Sequence, residues 1–175
     1  MATMARLKSA LMPVASMTQS SRHNISIRWH VQRGRKSASR EVFVDTSAWY
    51  PLLLRAHPDH SRVAAVLRGT FESGERAVTT NLVLAETYAL LLSRDHRLAA
   101  MTFLEAVRKV PNVVVASTEE LEQRALKDWL MPFEDHQFSF ADAVSFAVMQ
   151  ERGIRSAVTF DAHFATAGFE MNPVG

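Results

Sequence analysis

The chain of 175 residues is long enough for one domain with a sizeable core, and its composition, 47% hydrophobic and 22% charged, is that of a globular protein. It contains no cysteine, which excludes disulfide scaffolds, thiolate zinc sites and cysteine nucleophiles. The absence of cysteine also fits a reducing cytoplasm, where we expect the protein. Its apolar runs are shorter than the roughly 20 residues of a membrane-spanning helix, so we expect no membrane contact.

Charge is distributed unevenly along the chain, although the net charge is only +2. Residues 1–40 contain eight Lys or Arg and no Asp or Glu, and they lack helical or alternating periodicity. We expect them to form a disordered basic extension, followed by a single domain over residues 41–175. Three origins stay open: an arm that binds RNA phosphates, an organelle transit peptide, and a segment translated from upstream of the true start.

Regular patterns begin at residue 41, where short apolar runs alternate with longer helical stretches. The predicted strands are residues 41–44, 77–79, 113–115 and 157–160, and such apolar runs are typical of parallel strands covered on both faces. The predicted helices are residues 48–55, 60–70, 82–93, 98–110, 119–130 and 140–152, with a short one after residue 161. This alternation predicts an α/β domain with a mainly parallel central sheet.

Two aspartates directly follow predicted strands. Asp45 comes after the run EVFV and Asp161 after AVTF, so both carboxylates are expected at the carboxyl ends of core strands. Ligands of open α/β sheets bind in the crevice at those strand ends. Each aspartate also has a local alternative, because Asp commonly forms an Asx turn or caps the following helix.

Two further acids lie in apolar helices. Glu86 has apolar residues three and four positions away on both sides, which predicts that it lies on the apolar stripe of its helix. Asp142 is the only charged residue between positions 139 and 150 (SFADAVSFAVMQ). The local alternatives are a partly exposed glutamate at the edge of the stripe, and a capping box between Asp142 and Ser139.

These four acids are predicted to meet in one crevice. Clustered carboxylates raise one another's pKa and repel, so they stay ionised together only when cations neutralise them. Oxygen ligands favour Mg²⁺ or Mn²⁺. A divalent ion held by carboxylates activates water and offsets charge on a phosphate, so the pattern favours hydrolysis of phosphodiesters.

The sequence resembles the PIN-domain family from about residue 42 to residue 169. The segments VDTSAW, TTNLVLAE, FSFADAVSFAVMQERGI and AVTFDAHFATAGF are similar to the four acidic blocks of that family in order and spacing. Within the family, the chain looks most like the VapC-type toxins of type II toxin–antitoxin pairs.

This resemblance implies a three-layer α/β/α fold and a Mg²⁺- or Mn²⁺-dependent endoribonuclease. The catalytic and metal-binding residues that it implies are Asp45, Glu86, Asp142 and Asp161. The hydroxyls of Thr46 and Thr159 resemble supporting residues beside them. An RNA substrate, a homodimer and a small cognate antitoxin are also implied, whereas the basic extension departs from the compact family pattern.

Alternative functions stay open, namely a non-toxin RNA-processing nuclease and a non-catalytic PIN-like module that binds RNA or protein. A phosphatase of the haloacid-dehalogenase type is disfavoured, because Ser47 stands where such enzymes have a second aspartate. His57 and His60 have the spacing of metal ligands, but we expect them to flank a helix that starts near Asp59. The RNA target is not identified, because base choice depends on surface geometry.

Overall fold

The computed structural model describes residues 40–94, 96–133 and 135–172. The predicted basic extension, apart from Arg40, lies outside these residues. No helix within the described ranges is both long and apolar enough to cross a membrane.

Five parallel strands form the central sheet in the order β3-β2-β1-β4-β5. They are β1 (Glu41–Val44), β2 (Arg76–Thr80), β3 (Val113–Val115), β4 (Ser156–Val158) and β5 (Glu170–Asn172). All four residues of β1 are buried, as expected for a central strand that is covered on both faces. The predicted parallel sheet is confirmed.

Seven α-helices surround the sheet in the described part of the chain. They are α1 (Thr46–Leu53), α2 (His60–Glu72), α3 (Asn81–Ser93), α4 (Arg97–Ala106), α5 (Glu119–Arg124), α6 (Phe140–Arg152) and α7 (His163–Thr166). A π-helical segment, Ala125–Leu130, continues α5.

The helices form two groups, since α1 to α4 pack on one another and α5 to α7 pack around α6. The chain moves from β1 towards β3 through the first group and returns to β4 and β5 through the second. Right-handed crossovers that run in opposite directions along a sheet lie on opposite faces. The predicted three-layer α/β/α architecture is therefore confirmed.

Among the differences from the predicted elements, two helix or strand ends and one additional strand have identifiable reasons. The helix predicted to reach residue 110 ends at Ala106, ahead of Pro111, whose ring disfavours helical geometry in the preceding residue. Strand β4 ends at Val158, because the backbone N–H of Phe160 donates to the hydroxyl of Ser47 (2.9 Å) instead of to a neighbouring strand. Strand β5 was not predicted, since its sequence EMN is short and half polar.

Candidate active site

The sheet has a switch point between β1 and β4. From β1 the chain turns first to one side, to β2, and later to the other side, to β4. The crevice beyond the carboxyl ends of these two strands is where open α/β sheets bind ligands. Asp45 follows β1 directly, and Asp161 lies three positions after the end of β4.

Asp45 is buried at the base of this crevice, with 6% of the residue exposed. Its Oδ2 accepts hydrogen bonds from the backbone N–H of Ser47 (2.9 Å) and from the Ser47 hydroxyl (2.7 Å), so it also caps α1. Burial raises the pKa of the Asp45 carboxyl, and the negative charge of Asp142 adds to this effect. The local capping role and the crevice position therefore coexist.

Hydroxyl groups connect the ends of β1 and β4. Ser47 Oγ lies 3.1 Å from Thr159 Oγ1, and Thr159 Oγ1 donates to Asp45 Oδ2 over 3.3 Å. The backbone N–H of Asp161 in turn donates to Thr159 Oγ1 (2.9 Å). Thr159 was predicted as a supporting hydroxyl, whereas Ser47 was not, because its contacts with Thr159 and Phe160 join positions more than one hundred residues apart.

Asp142 enters the crevice from the first turn of α6. Its carboxylate accepts from the backbone N–H of Ser139 (2.9 Å), and the Ser139 hydroxyl accepts from the N–H of Asp142 (3.0 Å), which completes a capping box. Most of α6 is buried, and only 12% of the Asp142 side chain is exposed. The capping box holds this carboxylate at the helix end that faces the crevice.

Glu86 does not lie on the buried stripe of its helix; it lies at the open edge of the crevice, which is the alternative of a partly exposed glutamate. The buried side chains of α3 are Val83, Leu84, Thr87 and Leu91, whereas Glu86 is exposed. The stripe position was wrong because α3 is apolar on most sides, so periodicity does not select a face. The hydroxyl of Thr46 donates to Glu86 Oε2 (3.2 Å) and orients the carboxylate.

The contacts of Glu86, Asp142 and Asp161 bring the four acids to one side of the sheet: Thr46, next to Asp45, donates to Glu86, and carboxylate oxygens of Asp142 and Asp161 lie within 4.8 Å of each other. Although Glu86 is exposed as a residue, the loss of water around its carboxyl group in the crevice is the largest cause that raises its pKa; the charges of Asp142, Asp45 and Asp161 raise it further, and the hydrogen bond from Thr46 lowers it. We call Asp45, Glu86, Asp142 and Asp161 the acidic cluster. Residues from two strand ends and two helices thus contribute to one negative site.

Asp161 belongs to a tight turn after β4. Its Oδ1 accepts a hydrogen bond from the backbone N–H of His163 (2.9 Å). This is the Asx turn that was given above as the local alternative for this aspartate. One carboxylate oxygen of Asp161, one of Asp142 and a ring nitrogen of His163 all lie within 4.8 Å of one another. His163 was missed in the sequence, although a histidine two positions after a strand-end aspartate was the available signal.

The donor set of the cluster suits a hard divalent cation. Carboxylate oxygens are the ligands that Mg²⁺ and Mn²⁺ take in proteins. The Nδ1 atom of His163 is buried and has no hydrogen-bond partner within the described ranges, so it leaves an unsatisfied polar atom beside two carboxylates. A cation there would satisfy this atom and offset the repulsion among the four acids.

His57 and His60 have the local structure that was predicted for them, at the start of a helix. Asp59 precedes α2, His60 begins it, and the backbone N–H of Asp59 donates to His57 Nδ1 (3.2 Å). His60 Nδ1 lies 3.2 Å from the carbonyl oxygen of Pro51. Both rings therefore take part in the turn that starts α2.

Fold and site together define an α/β/α domain whose candidate metal site lies at the switch point of a parallel sheet. The profile of the PIN domain matches residues 42–170 of this chain. The chain belongs to the PIN-domain family.

Two comparisons with known proteins point to the same branch of this family. The chain is 38% identical over 137 residues to VapC20 of Mycobacterium tuberculosis strains CDC 1551 and H37Rv, a 23S rRNA-specific endonuclease; the alignment covers 75% of this chain and 98% of VapC20. The crystal structure of M. tuberculosis VapC20, a sarcin–ricin loop cleaving toxin, is similar with a TM-score of 0.65 and 33% identity, over 73% of this chain and 95% of that one. The predicted resemblance to VapC-type PIN domains is confirmed.

Proposed function

We propose that this PIN-domain enzyme is a toxin endoribonuclease that hydrolyses RNA phosphodiesters with Mg²⁺ or Mn²⁺ held by Asp45, Glu86, Asp142 and Asp161. The observation that carries the proposal is the geometry at the switch point of the sheet. Asp45 and Asp161 follow the adjacent strands β1 and β4, a carboxylate oxygen of Asp142 lies within 4.8 Å of one of Asp161, and Thr46, next to Asp45, donates to Glu86. A divalent ion bound by carboxylates supplies activation of water and stabilisation of charge on the phosphate.

The surrounding hydroxyl groups hold the carboxylates in place. Asp45 is fixed by Ser47 and Thr159, so its carboxylate enters the crevice with little conformational freedom to lose. Thr46 holds Glu86, and its own hydroxyl lies 3.4 Å from that of Thr87. Hydrogen bonds of this kind, made to the carboxylates by neighbouring hydroxyl groups, keep the ligands in the geometry that a cation needs. We assign this role to Thr46 and Thr159.

An RNA backbone reaches this site from its exposed side. Glu86 is exposed, and 35% of the Asp161 side chain is open to solvent, whereas Asp45 and Asp142 lie deeper. The phosphate therefore meets the cluster at Glu86 and Asp161, with the buried pair behind them. Binding through phosphate and cation alone carries no base preference.

Removal of the cation should abolish cleavage, and the products should have defined ends. We expect EDTA to stop cleavage of single-stranded RNA and added Mg²⁺ or Mn²⁺ to restore it, with a 5′-phosphate and a 3′-hydroxyl at each cut, because water is the nucleophile. End-group analysis of the fragments checks this. A cyclic phosphate, which arises from attack by the ribose hydroxyl without a metal, would contradict the mechanism.

The substrate that we propose is 23S rRNA, since the relative VapC20 is described as a 23S rRNA-specific endonuclease and its structure as that of a sarcin–ricin loop cleaving toxin. Primer extension over the rRNA of treated ribosomes should show one cut in that loop. Cuts in transfer or messenger RNA instead would make the chain a nuclease with another target. If the protein cleaves no RNA in the presence of either metal, the result would favour the alternative of a non-catalytic binding module.

We further propose a cytoplasmic homodimer that a small cognate antitoxin inhibits. Induced expression in a bacterial host should arrest growth, and co-expression of a small protein encoded beside the gene should relieve the arrest. Normal growth together with intact cleavage activity in vitro would favour an RNA-processing nuclease over a toxin.

A further inference from the structure

His163 is the first residue of α7 and faces two members of the acidic cluster. Its Nδ1 lies 3.5 Å from Asp142 Oδ2 and 3.4 Å from Asp161 Oδ1. These distances exceed those of good hydrogen bonds, and within the described residues the buried Nδ1 has no partner that meets hydrogen-bond geometry. The three atoms lie within 4.8 Å of one another, which is close enough for one cation to contact all three.

The fold holds the imidazole ring in this orientation. The ring of Phe138 packs against it in an edge-on arrangement, with centroids 5.3 Å apart at 78°, and the backbone N–H of His163 is bound to Asp161 Oδ1. Phe138 is itself buried and packs on Phe146 of α6, the helix that carries Asp142. The ring and the carboxylate are therefore positioned by one packed unit.

We propose that His163 supplies its Nδ1 as a nitrogen ligand to the cation of the acidic cluster, and that it thereby makes the site prefer Mn²⁺ to Mg²⁺. This inference rests on the proposed metal-dependent function. Mg²⁺ keeps several waters and takes oxygen ligands, whereas imidazole is a ligand of transition-metal ions. A nitrogen donor among carboxylates therefore adds affinity for Mn²⁺ and little for Mg²⁺.

Metal affinity gives the first test, with no need for cleavage activity. We expect His163→Asn to weaken Mn²⁺ binding by about 10- to 100-fold, which is the range for loss of a group that supports a metal site, and to change Mg²⁺ binding much less. Calorimetric titration of the purified protein measures both affinities. His136→Asn is the matched control, because His136 is exposed and stacks on the same Phe138 ring, yet lies outside the cluster.

Pulsed electron paramagnetic resonance of the Mn²⁺-loaded protein gives the second test, which detects the nitrogen ligand directly. A coupling to one imidazole nitrogen is expected in the wild type and in His136→Asn, and it should disappear in His163→Asn. Two results would overturn the role of His163 and leave the proposed function intact. One is tight Mn²⁺ binding without this coupling, and the other is an equal loss of affinity for Mn²⁺ and Mg²⁺ in His163→Asn. A wild-type protein that binds neither cation would overturn both.

Discussion

Replacing Asp45 with asparagine is expected to lower RNA cleavage by about 100-fold or more without loss of stability. The lost activity reflects the several kcal/mol that a correctly held cation contributes to phosphodiester hydrolysis. Stability should stay equal or rise by up to about 1 kcal/mol, because burial raises the pKa of Asp45 and its ionised form is therefore unfavourable in the fold at neutral pH. Asparagine also retains the cap on α1.

Initial cleavage rates and urea unfolding measure the two effects. Unfolding should be followed in EDTA, because a bound cation would stabilise the wild type alone. Asp59→Asn is the matched control, since Asp59 precedes α2 outside the cluster and makes no side-chain cap. Full activity in purified Asp45→Asn would remove this residue from the proposed site.

Replacing Glu41 with glutamine is expected to lower the free energy of unfolding by about 2 kcal/mol. Glu41 is buried at the start of β1, where its carboxylate pairs with Arg152 (2.7 Å and 2.9 Å) and with Arg76. Breaking a buried ion pair costs about 3–5 kcal/mol, but both arginines are partly exposed, so solvent reduces the cost.

The loss of stability in Glu41→Gln should become smaller as the pH falls. The hydrogen bond from Arg152 is the main cause that holds the pKa of Glu41 below its usual value of 4.5. The stabilisation is thus complete above pH 4.5 and is lost as the pH falls through the lower folded pKa. Urea unfolding at several pH values measures this difference between wild type and variant.

Glu151→Gln provides the comparison for the Glu41 experiment. Glu151 pairs with Arg124 on the surface, with 54% and 41% of the two side chains exposed, so its loss should cost less than about 1 kcal/mol. Equal costs for the two variants would show that the Glu41 pairs are no stronger than a surface pair.

The strands and long helices could be predicted because their residues satisfy local rules. The runs at β1 and β3 were predicted with the observed bounds, as was α6 with its capping box. Strand β5 escaped prediction because its residues EMN gain their conformation from pairing with β4. The face of α3 that is exposed was not predicted either, because a helix that is apolar on most sides takes its orientation from the layers that pack around it.

The residues of the acidic site also fall into those that the sequence predicted and those that it did not. Asp45 and Asp161 were expected near each other because they follow strands of a parallel sheet, whose carboxyl ends lie at one edge. Ser47 and His163 were not expected. Ser47 acts through contacts with Thr159 and Phe160, and the relation of His163 to Asp142 depends on the packing of α7 beside α6.

By itself, the sequence determined the α/β class, the order of the elements and the positions of the four acids, because strand periodicity, capping and chain connectivity are local properties. Only the tertiary structure decided which side of α3 presents Glu86, how hydroxyls join the two strand ends, and that an imidazole nitrogen lies beside two carboxylates. These features depend on distances between residues far apart in the chain, and such distances are established only when the layers pack.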